Sequence, residues 1–485
     1  MTRSIHRPIA LALLAAAAPL IAAWISAGDA RADEPAEMHP GIEAFTQSHP
    51  GAPIPVIFRT SGSPAALAGE VVAEGATDVS PLNLIGGVAA TVTADELSRL
   101  SYDDDVDWIA LDAPMVSSSR GDRGDDRGRR SLKTVYPFAA GAPDAWAAGA
   151  TGDDVTVAVI DSGISDHEDF QGRIRGRFDM SSVSDGVRDD NGHGTYIAGI
   201  IGARGKDYTG MAPESRLLSL RVSGSDGKAL ASDVVAALQW VVDHQDERNI
   251  RVVNISLTST VPDSYKQDPL DAAVEQAWLH GIVVVVSAGN YGSEAYSVDH
   301  APANDPYVIT VGGFDDRGTK DRADDSIAEW SSRGVTVDGY GKPEILAPGV
   351  AVTSTLAKHS EFARDHQSAI VDRRYITLDG TSASAAIVSG AVALLLSDEP
   401  GLSPDQVKYR LAHTGSAVAG AAVPGVNAGA AVTSAITGAA NIDAEPSDLI
   451  DPFSGEIMYD SVLWRSVLWR SVLWRSVEEA VLWRR

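Results

Sequence analysis

Near its C-terminal end the chain contains the stretch Gly380-Thr381-Ser382-Ala383-Ser384-Ala385-Ala386-Ile387-Val388-Ser389-Gly390. A glycine and a threonine lead into Ser382, and residues that tolerate a helix follow it. We therefore expect Ser382 where a loop turns into a buried helix. The free N–H groups and dipole of a helix N-terminus favour negative charge, which suits a serine nucleophile whose attack creates an oxyanion. Such openings of small-residue helices are common, so this stretch needs support from elsewhere.

Length and composition limit the classes of protein. A chain of 485 residues, 44% hydrophobic, can hold one large domain with attachments. Its net charge of −27 would repel phosphates, which argues against nucleic acid as a partner. The absence of cysteine excludes disulfides and cysteine metal sites.

The N-terminus is typical of a secretory signal peptide. Arg3 and Arg7 form a basic start, residues 9–25 are apolar and rich in alanine, and Ala30-Arg31-Ala32 fits a cleavage site. We assign residues 1–32 to this peptide and expect a secreted protein. An uncleaved membrane anchor is the alternative, which the cleavage site disfavours.

Residues 33–116 are predicted to form a small α+β unit. Apolar runs at residues 54–58 and 106–111 resemble strands, and residues 94–100 resemble a helix. Residues 117–134 differ, because they are rich in Arg, Gly and Asp and have almost no apolar side chain. This composition predicts a disordered linker.

Residues 135–440 alternate between strand-like and helix-like patterns. Short apolar runs at residues 155–160, 217–222, 252–257 and 282–286 are typical of strands buried on both faces. Residues 232–246 and 270–280 carry apolar side chains at helical spacing. The pattern predicts an α/β fold with a mostly parallel sheet, whose functional groups gather at the carboxyl ends of the strands.

Three polar residues lie at or near those ends. Asp161 ends the first strand, His193 stands between two glycines at a helix start, and Asn290 follows the run 282–286. The aspartate and asparagine could each simply form a turn. The histidine is harder to explain by packing, because the flanking glycines cost stability.

Taken together, these motifs resemble the subtilisin-like serine proteases, the subtilase family, in their bacterial secreted form. Asp161-Ser162-Gly163, His193-Gly194-Thr195, Ala288-Gly289-Asn290 and Gly380-Thr381-Ser382 occur in the order of that family. The resemblance covers residues 135–440 as one catalytic domain. It implies a subtilisin-like three-layer fold with a mostly parallel central sheet, preceded by a small α+β propeptide domain.

The resemblance also implies a role for each residue. Asp161, His193 and Ser382 would form the catalytic triad of an endopeptidase that hydrolyses peptide bonds through an acyl-enzyme. Asn290 would donate to the oxyanion. Two segments would bind the substrate backbone and its side chain, and they comprise Ser256, Leu257, Thr258, Ala288 and Gly289. No cofactor is required for this chemistry, and the partners would be protein or peptide substrates.

The same resemblance identifies residues 33–116 as an inhibitor- and chaperone-like propeptide of a self-processing zymogen. The mature N-terminus is then expected between Asp112 and Val135. Two residues depart from the family pattern, Ala383 in place of methionine and Ala386 in place of proline. Structural calcium could bind acidic loops such as residues 185–190, but we favour free solvated carboxylates there, and no metal ligand is assigned.

Residues 441–485 are predicted to be an acidic linker followed by a tail. The pentad Ser-Val-Leu-Trp-Arg occurs at residues 461–465, 466–470 and 471–475, and a related copy spans 480–484. This tail could bind a cell-envelope partner, itself or an anionic surface. The alternative function is therefore a non-catalytic binding or surface protein on a protease fold, acting through its tail.

Overall fold

A computed structural model describes residues 35–120, 134–182, 186–452, 454–455 and 457. The predicted signal peptide, residues 121–133 of the linker and the pentad repeats lie outside these residues.

The N-terminal unit is a five-stranded sheet carrying three helices. Its strands stand in the order β1-β5-β2-β4-β3. In chain order the elements are β1 (Glu37–Met38), α1 (Pro40–Ser48), β2 (Ile54–Arg59), α2 (Pro64–Ala73), β3 (Thr77–Leu82), β4 (Gly87–Val92), α3 (Ala94–Leu100) and β5 (Trp108–Leu111).

The two faces of this sheet serve different cores, because side chains alternate along a strand. Val56 and Phe58 of β2 pack into the unit's own core. Ile57 between them belongs to the main core of the protein, together with its cross-strand partners Ala89 and Ala110. The N-terminal unit is therefore seated on the rest of the protein by one sheet face.

Two short strands lead out of this unit. β6 (Pro114–Ser117) lies between β11 (Lys228–Leu230) and β13 (Leu257–Ser259), antiparallel to both. β7 (Ser119–Arg120) pairs antiparallel with β22 (Tyr375–Gly380). The predicted disorder is therefore wrong for residues 117–120, because strand edges of the following domain supply their backbone hydrogen bonds.

The central sheet has eight strands, in the order β16-β15-β14-β12-β8-β10-β9 with β19 also paired to β15. These strands are β8 (Thr156–Asp161), β9 (Ile174–Asp179), β10 (Arg216–Arg221), β12 (Ile250–Ile255), β14 (Val283–Ser287), β15 (Ile309–Asp315), β16 (Ser326–Ile327) and β19 (Ile345–Pro348). Their pairings are parallel except that of β15 with β16. The predicted α/β fold with a mostly parallel sheet is confirmed.

Helices cover both faces of this sheet, since every residue of β8 and β14 is buried. The helices after the N-terminal unit are α4 (Tyr136–Ala139), α5 (Ala142–Ala148), α6 (His193–Gly202), α7 (Ala231–Arg248), α8 (Pro269–Leu279), α9 (Glu361–Asp365), α10 (Thr381–Asp398), α11 (Pro404–Thr414) and α12 (Ala428–Thr433). The short strands β17 (Gly334–Val335), β18 (Gly341–Lys342), β20 (Val352–Thr355) and β21 (Ile370–Val371) complete the domain. Helix α10 is long and apolar enough to cross a bilayer, but 89% of it is buried in the protein, as befits a core helix.

Candidate active site

An aspartate and a histidine meet at the carboxyl end of β8. Asp161 is the last residue of that strand, and His193 is the first residue of α6. The two carboxylate oxygens of Asp161 lie 2.8 and 2.9 Å from His193 Nδ1, and both side chains are 1% exposed. A buried carboxylate in this place holds the proton on Nδ1 and leaves Nε2 to accept another.

The glycines beside His193 have a steric explanation. Gly192 has a φ of 106°, which side chains rarely allow. A Cβ on Gly194 would lie only 2.1 Å from the carbonyl oxygen of Gly163. The loop after Asp161 can thus approach the start of α6 closely enough for the two side chains to meet.

A second buried carboxylate, which sequence reasoning missed, joins these two loops. Asp189 accepts hydrogen bonds from Ser162 Oγ, Gly192 N, and both the N–H and hydroxyl of Thr195, at 2.5 to 2.8 Å. Burial raises its pKa to about 6, although these hydrogen bonds oppose the shift. The expectation that carboxylates of this loop are solvated is therefore wrong for Asp189. Its sequence context, a run of charged residues, gave no signal of burial.

Ser382 is the second residue of α10 and is fully buried. Strand β22 leads directly into the helix, so a strand rather than the predicted loop precedes the serine. At the junction Gly380 has a φ of 146°, and a Cβ there would lie 2.5 Å from the carbonyl oxygen of Ser118. A glycine is needed because the chain at Ser118 passes so close to the start of α10.

The Ser118 carbonyl lies between two N–H donors. Asn290 Nδ2 donates to it at 2.5 Å, and the backbone N–H of Ser382 donates at 3.4 Å. The other side of the Asn290 amide is fixed, because Oδ1 accepts from Thr381 N and Oγ1 at 3.1 and 3.2 Å. These bonds orient the amide with its NH₂ group towards the carbonyl, the arrangement of an oxyanion hole.

The residues before Ser118 lie along a predicted substrate-binding segment. β6 pairs with β13 in the register Ser117 to Leu257 and Val116 to Thr258. Ser118 N continues the ladder by donating to Ser256 O at 3.2 Å. Residues 114–118 thus run as an extended strand between β11 and β13, and both neighbours supply backbone hydrogen bonds, as in peptide recognition by strand pairing.

The hydroxyl of Ser119 is hydrogen-bonded to His193. Among the residues that the structure describes, the hydroxyl bonded to His193 Nε2 is that of Ser119, at 2.8 Å. Ser382 Oγ donates instead to Ser256 O at 3.4 Å. The structure therefore brings Asp161, His193, Ser382 and Asn290 together around the peptide bond between Ser118 and Ser119, and His193 Nε2 is hydrogen-bonded to Ser119.

Residues 152–435, more than half of the chain, match the model of the subtilase family. The chain belongs to the subtilase family. Its subtilase domain is 39% identical over 270 residues to the serine protease AprX of Bacillus subtilis (strain 168), covering 54% of this chain and 61% of AprX. It is 32% identical over 279 residues to subtilisin BL of Lederbergia lenta, covering 57% of this chain and 89% of subtilisin BL.

Among solved structures, fervidolysin of Fervidobacterium pennivorans superposes with a TM-score of 0.62 over 79% of this chain and 61% of its own. At 23% sequence identity this similarity shows the fold alone. The chain spans less than two thirds of the length of AprX, whereas its subtilase domain covers 89% of subtilisin BL.

The last two predicted substrate-binding residues of this subtilase, Ala288 and Gly289, follow β14. Their N–H groups donate to Val311 O and to Thr381 Oγ1. The side chain of Ser118 is contacted by Ser287 Oγ, at 3.1 Å, and by Thr258 Oγ1, at 2.7 Å. Ser287 was missed in the sequence because it reads as the end of an apolar strand.

The acidic loop suggested as a calcium site does not fit that role at Asp189. Four donors already occupy its two oxygens, which leaves little capacity for a cation. Within the described ranges, one cluster of carboxylates is compact enough to hold a metal ion. It is formed by Glu70, Asp103 and Asp105 of the N-terminal unit. These side chains are mostly exposed, and exposed acidic groups are common without a metal.

Proposed function

We propose that this chain is the precursor of a secreted serine endopeptidase that first cuts itself between Ser118 and Ser119. The observation that carries the proposal is the position of the Ser118 carbonyl, between Asn290 Nδ2 and Ser382 N, at the end of a peptide strand in the cleft. Residues 33–118 would be the propeptide and would remain bound after the cut as a product-like inhibitor. Secretion is proposed from the predicted signal peptide at residues 1–32.

In the proposed reaction, Ser382 Oγ attacks the carbonyl carbon of Ser118 while His193 Nε2 takes its proton. Asp161 stabilises the resulting imidazolium, and Asn290 with Ser382 N binds the oxyanion. The C–N bond then breaks, and His193 gives the proton to the departing nitrogen of Ser119. Water, activated by the same histidine, releases the acyl group and restores Ser382.

Two hydrogen bonds in the structure must break before Ser382 can attack. Ser382 Oγ must leave Ser256 O, and Ser119 Oγ must release Nε2, before the base can accept the nucleophile's proton. Both moves are side-chain rotations. The hydroxyl of Ser119 would therefore slow the first cut without affecting later substrates.

A non-catalytic binding protein that acts through the pentad tail is the second candidate. It gives no reason for the buried Asp161–His193 pair, since burying a carboxylate is costly and here has no role. The first candidate is therefore preferred. The tail, with its proposed affinity for a cell-envelope partner, itself or an anionic surface, would be an attachment to the enzyme.

The first expected result concerns processing. The wild-type precursor should yield a new N-terminus at Ser119, because the chain before it is held in the cleft with its carbonyl between the two donors. Mass spectrometry of the N-terminal peptide at early times checks this. The Ser382→Ala precursor should remain uncut under the same conditions.

Residues 121–133 offer other sites for later trimming, so the first cut must be measured at the shortest times. A first cut elsewhere than after Ser118, in a precursor whose cutting still requires Ser382, would contradict the proposed register. If the purified Ser382→Ala precursor were cut in the absence of wild-type enzyme, self-processing would be contradicted.

The second expected result concerns pH, because two titratable groups lie between the proposed propeptide and the catalytic domain. Asp112 accepts hydrogen bonds from Ser232 N and Oγ at the start of α7, at 2.9 and 2.6 Å. Burial raises the pKa of its carboxyl to about 7. His39 Nε2 lies 2.6 Å from Asp263, and although burial lowers the His39 pKa, its hydrogen bond to Asp263 and the charges of Asp263 and Asp268 raise it above 6.5 overall.

Both pKa values are thus higher in the complex than in the free propeptide. The stabilisation from Asp112 is complete below about pH 4 and is lost as the pH rises through about 7. That from His39 is complete below pH 6.5 and is lost as the pH rises through its raised value. We expect the cut propeptide to dissociate faster at pH 8 than at pH 5.

Gel filtration of the cut wild-type protein, with the free fragment quantified at each pH, measures this dissociation independently of peptidase activity. His39→Gln should flatten the upper part of the profile. His49→Gln is the matched control, because His49 is exposed and stacks on Phe45 within its own unit. Dissociation that slows as the pH rises would contradict the assignment.

A further inference from the structure

The segment after the subtilase domain is held against that domain by hydrogen bonds, most of which involve the segment's backbone. We call residues 441–452 the C-terminal strap; they form no helix or strand and lie beyond the matched residues 152–435. Ser447 N donates to both oxygens of buried Glu275 on α8, at 3.0 and 2.8 Å. Further bonds join the strap to the domain: Asn441 Nδ2 to Tyr307 O, Tyr307 Oη to Ala444 O, Tyr265 Oη to Glu445 O, and Asp448 N to Lys266 O.

The strap also reaches the N-terminal unit. Arg59, the last residue of β2, donates from Nη2 to the carbonyl oxygen of Leu449 at 3.4 Å. Arg59 is 8% exposed and Leu449 is 6% exposed, so this bond is screened from water. The Leu449 side chain belongs to the same apolar core as Ile57 and Leu82, which lie on the face that the N-terminal unit presents to the domain.

We propose that the C-terminal strap is part of the binding surface for the propeptide, so that residues near the end of the chain slow the release of residues near its beginning. The proposal rests on the proposed function, in which residues 33–118 are cut and then dissociate. The partner is this chain's own N-terminal unit, because Arg59 of that unit donates to the Leu449 carbonyl oxygen.

The geometry explains why the strap can act this way. Glu275 is fully buried on α8 and receives the Ser447 N–H on both oxygens, so it anchors the strap to the helix. The neighbouring 3₁₀ turn of the N-terminal unit (Asn83–Ile85) packs on α7 and α8. The strap and the propeptide therefore share one helix as their support, and loss of the anchor should loosen both.

The test compares two substitutions at one position in the full chain. Ser447→Pro removes the N–H that binds Glu275, whereas Ser447→Ala keeps it and removes a hydroxyl that has no hydrogen-bond partner within the described residues. Release of the cut propeptide is followed by gel filtration. Ser447→Pro should shorten the half-time of release about tenfold, the effect of leaving a buried hydrogen-bond acceptor without its donor. Ser447→Ala should match the wild type.

Arg59→Ala and Ser447→Pro together form a double-mutant cycle. Arg59→Ala should speed release in the wild-type background and have a smaller effect in the Ser447→Pro background, since both act through the strap. Arg99→Ala is its control, because Arg99 is exposed and pairs with Glu74 inside the N-terminal unit. Equal release rates for Ser447→Pro and Ser447→Ala would overturn the proposal.

A measurement on the uncut chain separates this proposal from the proposed function. In the Ser382→Ala precursor, Arg59→Ala should increase amide hydrogen exchange in residues 445–451, whereas Arg99→Ala should not. Unchanged exchange with Arg59→Ala overturns the strap even if self-cleavage is real. Increased exchange supports it even if the wild-type precursor never cuts itself or Ser447→Pro does not fold.

Discussion

Replacing Ser382 by alanine should lower the rate of casein hydrolysis about a million-fold, the scale of loss that removal of this hydroxyl causes in subtilisin. Without a nucleophile to deprotonate, His193 and Asp161 no longer contribute to the rate. Removing Ser382 therefore costs about as much as removing all three side chains. The remaining rate would come from the oxyanion donors and from substrate binding. Hydrolysis of casein or of a chromogenic peptide by purified protein measures the effect.

The propeptide would itself block the cleft of this variant, so the comparison needs a form that has been cut and from which the propeptide has been released at pH 8. A trace of tagged wild-type enzyme can cut the Ser382→Ala precursor after Ser118 and then be removed. Ser384→Ala is the matched control, because Ser384 lies on the same helix but donates to Ala347 O and Pro348 O at 3.2 Å. A serine-directed sulfonyl fluoride should label Ser382 in the control. Wild-type activity in cut Ser382→Ala would show that the nucleophile lies elsewhere.

Replacing Asn290 by alanine should lower kcat by about 10² to 10³ and leave KM nearly unchanged. Nδ2 lies 2.5 Å from the Ser118 carbonyl oxygen, in the place where negative charge develops, so its contribution grows in the transition state. Asn290→Asp keeps the size of the side chain and an oxygen towards Thr381 but replaces the donor by an acceptor. It should be at least as inactive as Asn290→Ala.

Steady-state kinetics with one peptide substrate separate the two constants. An increase of KM with unchanged kcat would mean that Asn290 binds the ground state and is not part of an oxyanion hole. The Thr381 N–H and hydroxyl donate to Asn290 Oδ1, so changing that acceptor could unfold the start of α10. Melting of both variants, followed by circular dichroism, checks that they remain folded.

Local sequence was informative where a single short stretch fixes both backbone and chemistry. The helices at Ala231–Arg248 and Pro269–Leu279 lie within two residues of their predicted bounds, because apolar spacing and caps are local signals. Asp161 and Asn290 were found because parallel strands bring their carboxyl ends to one edge of a sheet. The assignment of their roles still came from the resemblance to subtilases, since either residue alone could form a turn.

Other features depended on partners far away in the chain. Residues 117–120 have no apolar side chain, yet they are ordered because Ser256 O and β22 supply hydrogen bonds from residues distant in sequence. Asp189 looked solvated because its donors converge on it only after α6 and the loop that follows β8 have met.

The sequence by itself thus determined the α/β class, the mostly parallel sheet and the set of polar residues at its carboxyl edge, because periodicity and strand-end position are properties of neighbouring residues. Only the tertiary structure decided which peptide bond lies against Ser382, which hydroxyl engages His193 Nε2, and that the C-terminal strap meets Arg59. Those contacts join segments tens to hundreds of residues apart. Their geometry depends on the packing of the N-terminal unit on α7 and α8, which no local pattern encodes.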